Sequence, residues 1–124
     1  MSIPERMAVA RIKNLTIDAV IGCNDWERTT RQKIVINIEL AFDAAEAIAT
    51  DSLERTMDYR ALKKKIIASV QSTSFNLLEA LTAHVLGLVL EEGRVVRATV
   101  TIDKPKALRF ADSVSITLSG GECE

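Results

Sequence analysis

In residues 33–40, Ile34, Ile36, Ile38 and Leu40 alternate with Val35, Asn37 and Glu39. Successive side chains of a strand point to opposite faces, so this run builds one apolar face and one mostly polar face. It is the cleanest strand signal in the chain, and it calls for a sheet packed on one side. Residues 9–21 alternate too, but the phase changes: Ala10 and Ile12 are even, whereas Leu15, Ile17, Ala19 and Ile21 are odd. A bulge or bend near Lys13 and Asn14 reconciles the halves, and the two strands form a natural pair. Residues 95–103 put Val96, Ala98, Val100 and Ile102 on one face, and residues 113–119 give a fourth strand. Pro105 lacks an amide hydrogen, so regular pairing ends just beyond Lys104 and its ammonium stands at a sheet margin.

Two long helices fall between the strand pairs. Asp58 is a good N-cap, followed at helical spacing by Leu62, Ile66, Ile67 and Val70, with Lys63, Lys64 and Lys65 on the wet side. A second helix begins after Ser72-Thr73-Ser74; Leu78, Leu81, Val85, Leu88 and Val89 make its buried stripe and Gly93 closes it. Residues 44–49 read as a short Ala-rich helical turn, and residues 53–57 as irregular. Residues 22–32 open with the turn formers Gly22, Asn24 and Asp25 and read as an ordered loop, packed by Trp26 and filled by Cys23. The order is an α+β layout: an antiparallel four-stranded sheet in ββααββ order with two helices on one face. Its two open edges predict a homo-oligomer.

At 124 residues and 48% hydrophobic content, a single domain over residues 1–124 is expected, with residues 119–124 a flexible tail. Sixteen basic residues against 17 acidic ones lack the basic bias of a nucleic-acid binder. No apolar run reaches the length of a signal peptide or membrane span, so a soluble cytoplasmic protein without a membrane partner is expected. Cys23 and Cys123 are not expected to form a disulfide. His84 and two distant cysteines do not make a zinc site, and neither a metal nor another cofactor is expected.

Several ordered motifs then carry a resemblance. Ile21-Gly22 with Asp25-Trp26-Glu27, Arg31-Gln32-Lys33-Ile34-Val35, Asp58-Tyr59, Phe75-x-Leu77-Leu78-Glu79 and Lys104-Pro105 resemble the dihydroneopterin aldolase family over nearly the whole chain. Within it, Arg11-Ile12-Lys13-Asn14-Leu15, Asp103-Lys104 and residues 107–115 look closer to the dihydroneopterin triphosphate 2'-epimerase branch. The pairs Lys104-Pro105 and Asp25-Trp26-Glu27 also read like the aldolase branch. The resemblance implies a tunnelling fold, in which strands from four subunits close a barrel, two rings stack into an octamer and sites lie between neighbours.

It also implies a dihydropterin substrate and a division of labour. Glu79, helped by the backbone around Leu77 and Leu78, would anchor the pterin edge through both carboxylate oxygens. Lys104 would serve as acid and base, with its proton affinity lowered by desolvation or by Lys106 or Arg109 nearby. Tyr59, beside the Asp58 cap, would shuttle a proton, and Glu27 would orient the side-chain hydroxyls or a water. Asp58 joins the substrate-binding set, as do Arg109 and Lys106, which are suited with Lys13 and Arg11 to a triphosphate tail. The implied reaction is epimerisation at C2' of 7,8-dihydroneopterin triphosphate by retro-aldol and aldol steps. The alternatives are the aldolase reaction giving 6-hydroxymethyl-7,8-dihydropterin and glycolaldehyde, or a non-catalytic pterin-binding oligomer.

Overall fold

The computed structural model describes residues 6–121. The elements are β1 (Met7–Ile21), β2 (Gln32–Asp43), α1 (Ala45–Thr50), α2 (Tyr59–Gln71), β3 (Ser74–Phe75), α3 (Leu78–Leu90), β4 (Val95–Pro105) and β5 (Ser113–Gly121). Short 3-10 turns occupy Asp25–Arg28 and Leu53–Arg55. The sheet runs β3-β1-β2-β4-β5; β3 is parallel to β1 and the other pairs are antiparallel.

The sheet is therefore five-stranded and mixed, which corrects the expected four-stranded antiparallel one. The difference lies in residues 74–77: the expected helix begins right after Ser74 and covers 75–77. Ser74 and Phe75 instead pair with Val20 and Ile21, and the helix starts only at Leu78. At the other end of the chain, β5 runs through Gly121, so residues 119–121 are strand and not tail. Cys123 lies outside the described residues.

The alternation chooses the core. Ile34, Ile36, Ile38 and Leu40 of β2, Ala98, Val100 and Ile102 of β4, and Ile17, Ala19 and Ile21 of β1 are all buried. They meet Leu62, Ile66 and Val70 of α2 and Leu78, Leu81, Val85 and Val89 of α3 in one cluster. Each of the Val, Leu and Ile side chains among them withdraws enough apolar surface to contribute roughly 1.5–3 kcal/mol. Helix α3 lies over β4 and β5, and α2 over β1. The opposite face is polar, with Arg11 paired to Glu39 at 2.9 Å and Thr99 and Thr101 bonded to Ser119 and Thr117 at 2.8 Å each. No helix among the described residues is long and apolar enough to cross a membrane.

The expected bulge is present. The β1–β2 register shifts between Ile12 and Leu15, and Asn14 takes a φ of 56°. The Asn14 amide donates to Asn37 Oδ1 at 2.8 Å, and Asn37 Nδ2 donates back to Asn14 Oδ1 at 3.3 Å. The extra residue lets the buried set switch from even to odd positions without leaving the helix-covered face. Asn14→Gly should be close to neutral in chemical denaturation, whereas Asn14→Val should cost about 1–2 kcal/mol, because a β-branched residue resists the left-handed conformation.

Candidate active site

Lys104 follows Ala98, Val100 and Ile102 in the same phase of β4, so its stem continues along the core face where the apolar residues stop. The 3-10 turn Asp25–Arg28 closes over that margin and delivers Glu27. Lys104 Nζ donates to Glu27 Oε2 at 2.6 Å, with the two side chains only 14% and 8% exposed. A single charge here would be expensive to bury, and the pair offsets that cost.

Three further features fix the carboxylate. Gln32, the first residue of β2, donates its side-chain amide to Glu27 Oε2 at 3.0 Å and to the Ile21 carbonyl at 2.9 Å. The Asn24 backbone amide donates to Glu27 Oε1 at 3.2 Å. Gly22, at a φ of 129°, lies so close beneath the carboxyl that a Cβ there would collide with it. The hydrogen bond from Lys104, then that from Gln32, outweigh burial and hold the Glu27 pKa down from 4.5 to about 2. Glu27 is thus a fixed anion and not a proton carrier near neutrality.

The same loop is bound to the start of α3. Arg28 donates to the carbonyls of Gly22 and Phe75 at 3.3 and 2.9 Å and to Ser74 Oγ at 3.0 Å. The Gly22 amide donates to the Phe75 carbonyl at 2.9 Å, and Cys23 Sγ lies 3.5 Å from the Asn76 carbonyl. These contacts bring Leu77, Leu78 and Glu79 to the end of the sheet that carries Lys104. Leu77 is the exposed cap residue of α3, Leu78 is buried, and Glu79 is exposed in the first turn without an ion pair among the described residues.

Other predicted site residues stand apart from this group. Tyr59 is 62% exposed and lines a separate concavity of about 390 Å3 with Leu53, Asp58 and Lys64. Asp58 caps α2, accepting from the amides of Arg60 and Ala61 at 3.1 Å each. Lys106 and Arg109 lie in the exposed β4–β5 loop, where the Arg109 guanidinium sits 5.7 Å from the Phe110 ring centre. The charge in direct contact with Lys104 is the Glu27 carboxylate. Trp26 is exposed and does not pack the loop from within.

With this geometry in hand, the profile of the dihydroneopterin aldolase family matches residues 10–119. The chain belongs to that family. A dihydroneopterin triphosphate 2'-epimerase from Pseudomonas aeruginosa is 42% identical, across 92% of this chain and 93% of its own length. The enzyme of the same name from Escherichia coli K12 is 44% identical across 90% and 93%. A Haemophilus influenzae dihydroneopterin aldolase is more distant, at 32% identity across 89% and 93%. Among solved structures, an Escherichia coli dihydroneopterin aldolase in complex with neopterin superposes with a TM-score of 0.86 at 27% identity, covering 92% of this chain and 99% of its own. The curled mixed sheet and its helices are the fold of that structure.

Sequence reasoning overlooked the roles of Gln32, Gly22 and Arg28. Gln32 and Gly22 stand inside the motifs that carry the resemblance, and a glycine ending an alternating strand is a signal for close approach. The state of Glu27 makes a prediction with a definite sign. Its ionised form is held in the native protein but not in the unfolded one, so the stabilisation is complete above pH 4.5 and fades as pH falls toward 2. Urea denaturation between these limits should show the native protein losing on the order of 2 kcal/mol more than Glu27→Gln loses over the same range.

Proposed function

We propose that this protein epimerises 7,8-dihydroneopterin triphosphate at C2', giving the 7,8-dihydromonapterin isomer. The observation that carries the reading is the enclosed Lys104–Glu27 pair at the sheet end that also bears Glu79. The greater identity to the two epimerases than to the aldolase favours this reaction within the family.

The chemistry needs an acid and base, an anchor and a retained fragment. Removal of the 2'-hydroxyl proton breaks the C1'–C2' bond, and the electrons enter the C6=N5 imine of the dihydropterin. The substrate is its own electron sink, so no Schiff base to a lysine is required. Lys104 is the acid and base, and Glu79 with the Leu77 and Leu78 backbone holds the pterin edge. Glu27, permanently anionic, orients the side-chain hydroxyls or a water. The aldehyde fragment carries the triphosphate, and Lys106 and Arg109 hold that tail while the carbonyl turns and the bond re-forms on its other face. Purified protein given the triphosphate should yield the epimer, measured by chromatographic separation of the pterins. Dominant 6-hydroxymethyl-7,8-dihydropterin from the unphosphorylated compound would instead establish the aldolase reaction.

Tyr59 enters this scheme as the proton shuttle of a neighbouring copy, with Asp58 beside it. Its exposure on a separate concavity and the two open sheet edges, β3 and β5, support a homo-oligomer with shared sites, an octamer of two stacked tetramers. Co-refolding inactive Lys104→Ala with inactive Tyr59→Phe should restore part of the turnover, because some sites then receive both intact residues. Absence of any recovery would put both residues in one chain's site.

A further inference from the structure

We propose that Gln32 is a positioning residue for proton transfer at Lys104, holding Glu27 as a fixed acceptor so that the proton passes between Lys104 and substrate. The inference rests on the reading of Lys104 as the acid and base. Its starting point is an arrangement of donors on a single oxygen. Glu27 Oε2 receives Lys104 Nζ at 2.6 Å and Gln32 Nε2 at 3.0 Å.

The orientation of the Gln32 amide follows from its surroundings. Both partners, the Ile21 carbonyl and the Glu27 carboxylate, are acceptors, so the nitrogen faces them and both its hydrogens are used. The side chain is rooted on a paired strand position, opposite Ala19 of β1, so its donor sits on a rigid element. Anchored at two points, it keeps its place when the lysine beside it changes charge.

That change is what the reaction demands. When Lys104 is an ammonium, Glu27 has three donors: Lys104, Gln32 and the Asn24 amide. When Lys104 passes to the amine, a carboxylate with no second donor on Oε2 would be left poorly satisfied in an enclosed site, and would compete for the proton at short range. Gln32 remains on that oxygen and lowers its appetite for a proton in both states. Among the described residues no other charged side chain bonds to this pair: β4 contributes Lys104, the turn contributes Arg28, which is engaged with carbonyls and Ser74, and an exposed Asp25, and Ile21 and Gly22 form the passage from β1 into the turn. Gln32 thus decides where the proton goes without touching the reacting atoms.

The test uses Gln32→Leu, which deletes the donor, and the isosteric Gln32→Glu, which replaces it with an acid. In both, kcat should fall about tenfold with KM changed less than about twofold. The acid limb of kcat/KM against pH should rise by about one unit. Carbon-13 NMR of the Glu27 carboxyl should show its titration midpoint moved upward by a similar amount. Loss of kcat with the acid limb and the Glu27 midpoint both unmoved would overturn the proposal and leave Gln32 a merely structural residue. Should Gln32→Leu not fold, the same readouts on Gln32→Glu decide. Should the unsubstituted protein turn over no dihydropterin, the functional reading fails by itself, and an unmoved Glu27 midpoint would still sink the role given to Gln32.

Discussion

The ion pair between Lys104 and Glu27 is the contact on which the functional end of the molecule depends. Its partners are 77 positions apart in the chain, one at the penultimate position of a strand and the other on a 3-10 turn between two others. Neither charge is tolerable alone in so enclosed a place. The backbone around them is accordingly constrained: Gly22 gives up a side chain to make room for the carboxyl, and Asn24 and Gln32 supply the remaining donors. The pair also closes the sheet. It ties the segment after β1 to the end of β4, across β2, at the point where ladder hydrogen bonding between β2 and β4 runs out past Val35 and Asp103.

How much of this was legible in the sequence depends on whether a feature is periodic. The strands announced themselves through alternation, and even the bulge at Lys13 and Asn14 followed from a change of phase. Lys104 shares its parity with Ala98, Val100 and Ile102, so its inward direction was readable; what it would meet was not. Strand β3 has two residues and therefore no period, and its pairing is decided by Arg28 and Gly22, which lie some fifty positions earlier. Gln32 and Glu27 are polar residues in a polar loop, with nothing in their spacing to separate a solvated pair from an enclosed one. Pair geometry across distant segments is invisible to a one-dimensional pattern, and the carboxylate that meets Lys104 is such a case.

Structural and chemical demands also coincide on single segments. Asp58 spends its carboxylate on two amides of α2, a capping arrangement worth about 1 kcal/mol, and in doing so fixes the backbone from which Tyr59 projects. Phe75 joins the core cluster from one side while its carbonyl receives Gly22 and Arg28 on the other, and this sets where α3 begins and hence where Glu79 stands. A helix that started three residues earlier, as the spacing suggested, would draw the Phe75 carbonyl into its own hydrogen-bond ladder and away from Gly22 and Arg28. The start of α3, where Glu79 stands, is thus tied to the shortest strand of the sheet.

Aldol cleavage and epimerisation share every step up to the broken C1'–C2' bond, so the proposed function turns on what happens to the aldehyde. Escape gives an aldolase; recapture after rotation gives an epimerase. The outcome is a competition between diffusion and bond formation, and a group that prolongs the stay of the fragment favours recapture without altering the acid and base. The triphosphate is on that fragment, and the loop that leaves Lys104 carries Lys106 and Arg109. Left-handed residues at Lys106 and Phe110, with the Lys106 amide bonded to the Asp112 carbonyl at 2.9 Å, give this loop a defined shape in spite of its exposure. On the proposed function, the strand that supplies the base runs within a few residues into the loop that supplies the cations for the tail, so a change of branch specificity confined to the β4–β5 loop would leave the Lys104–Glu27 pair as it is.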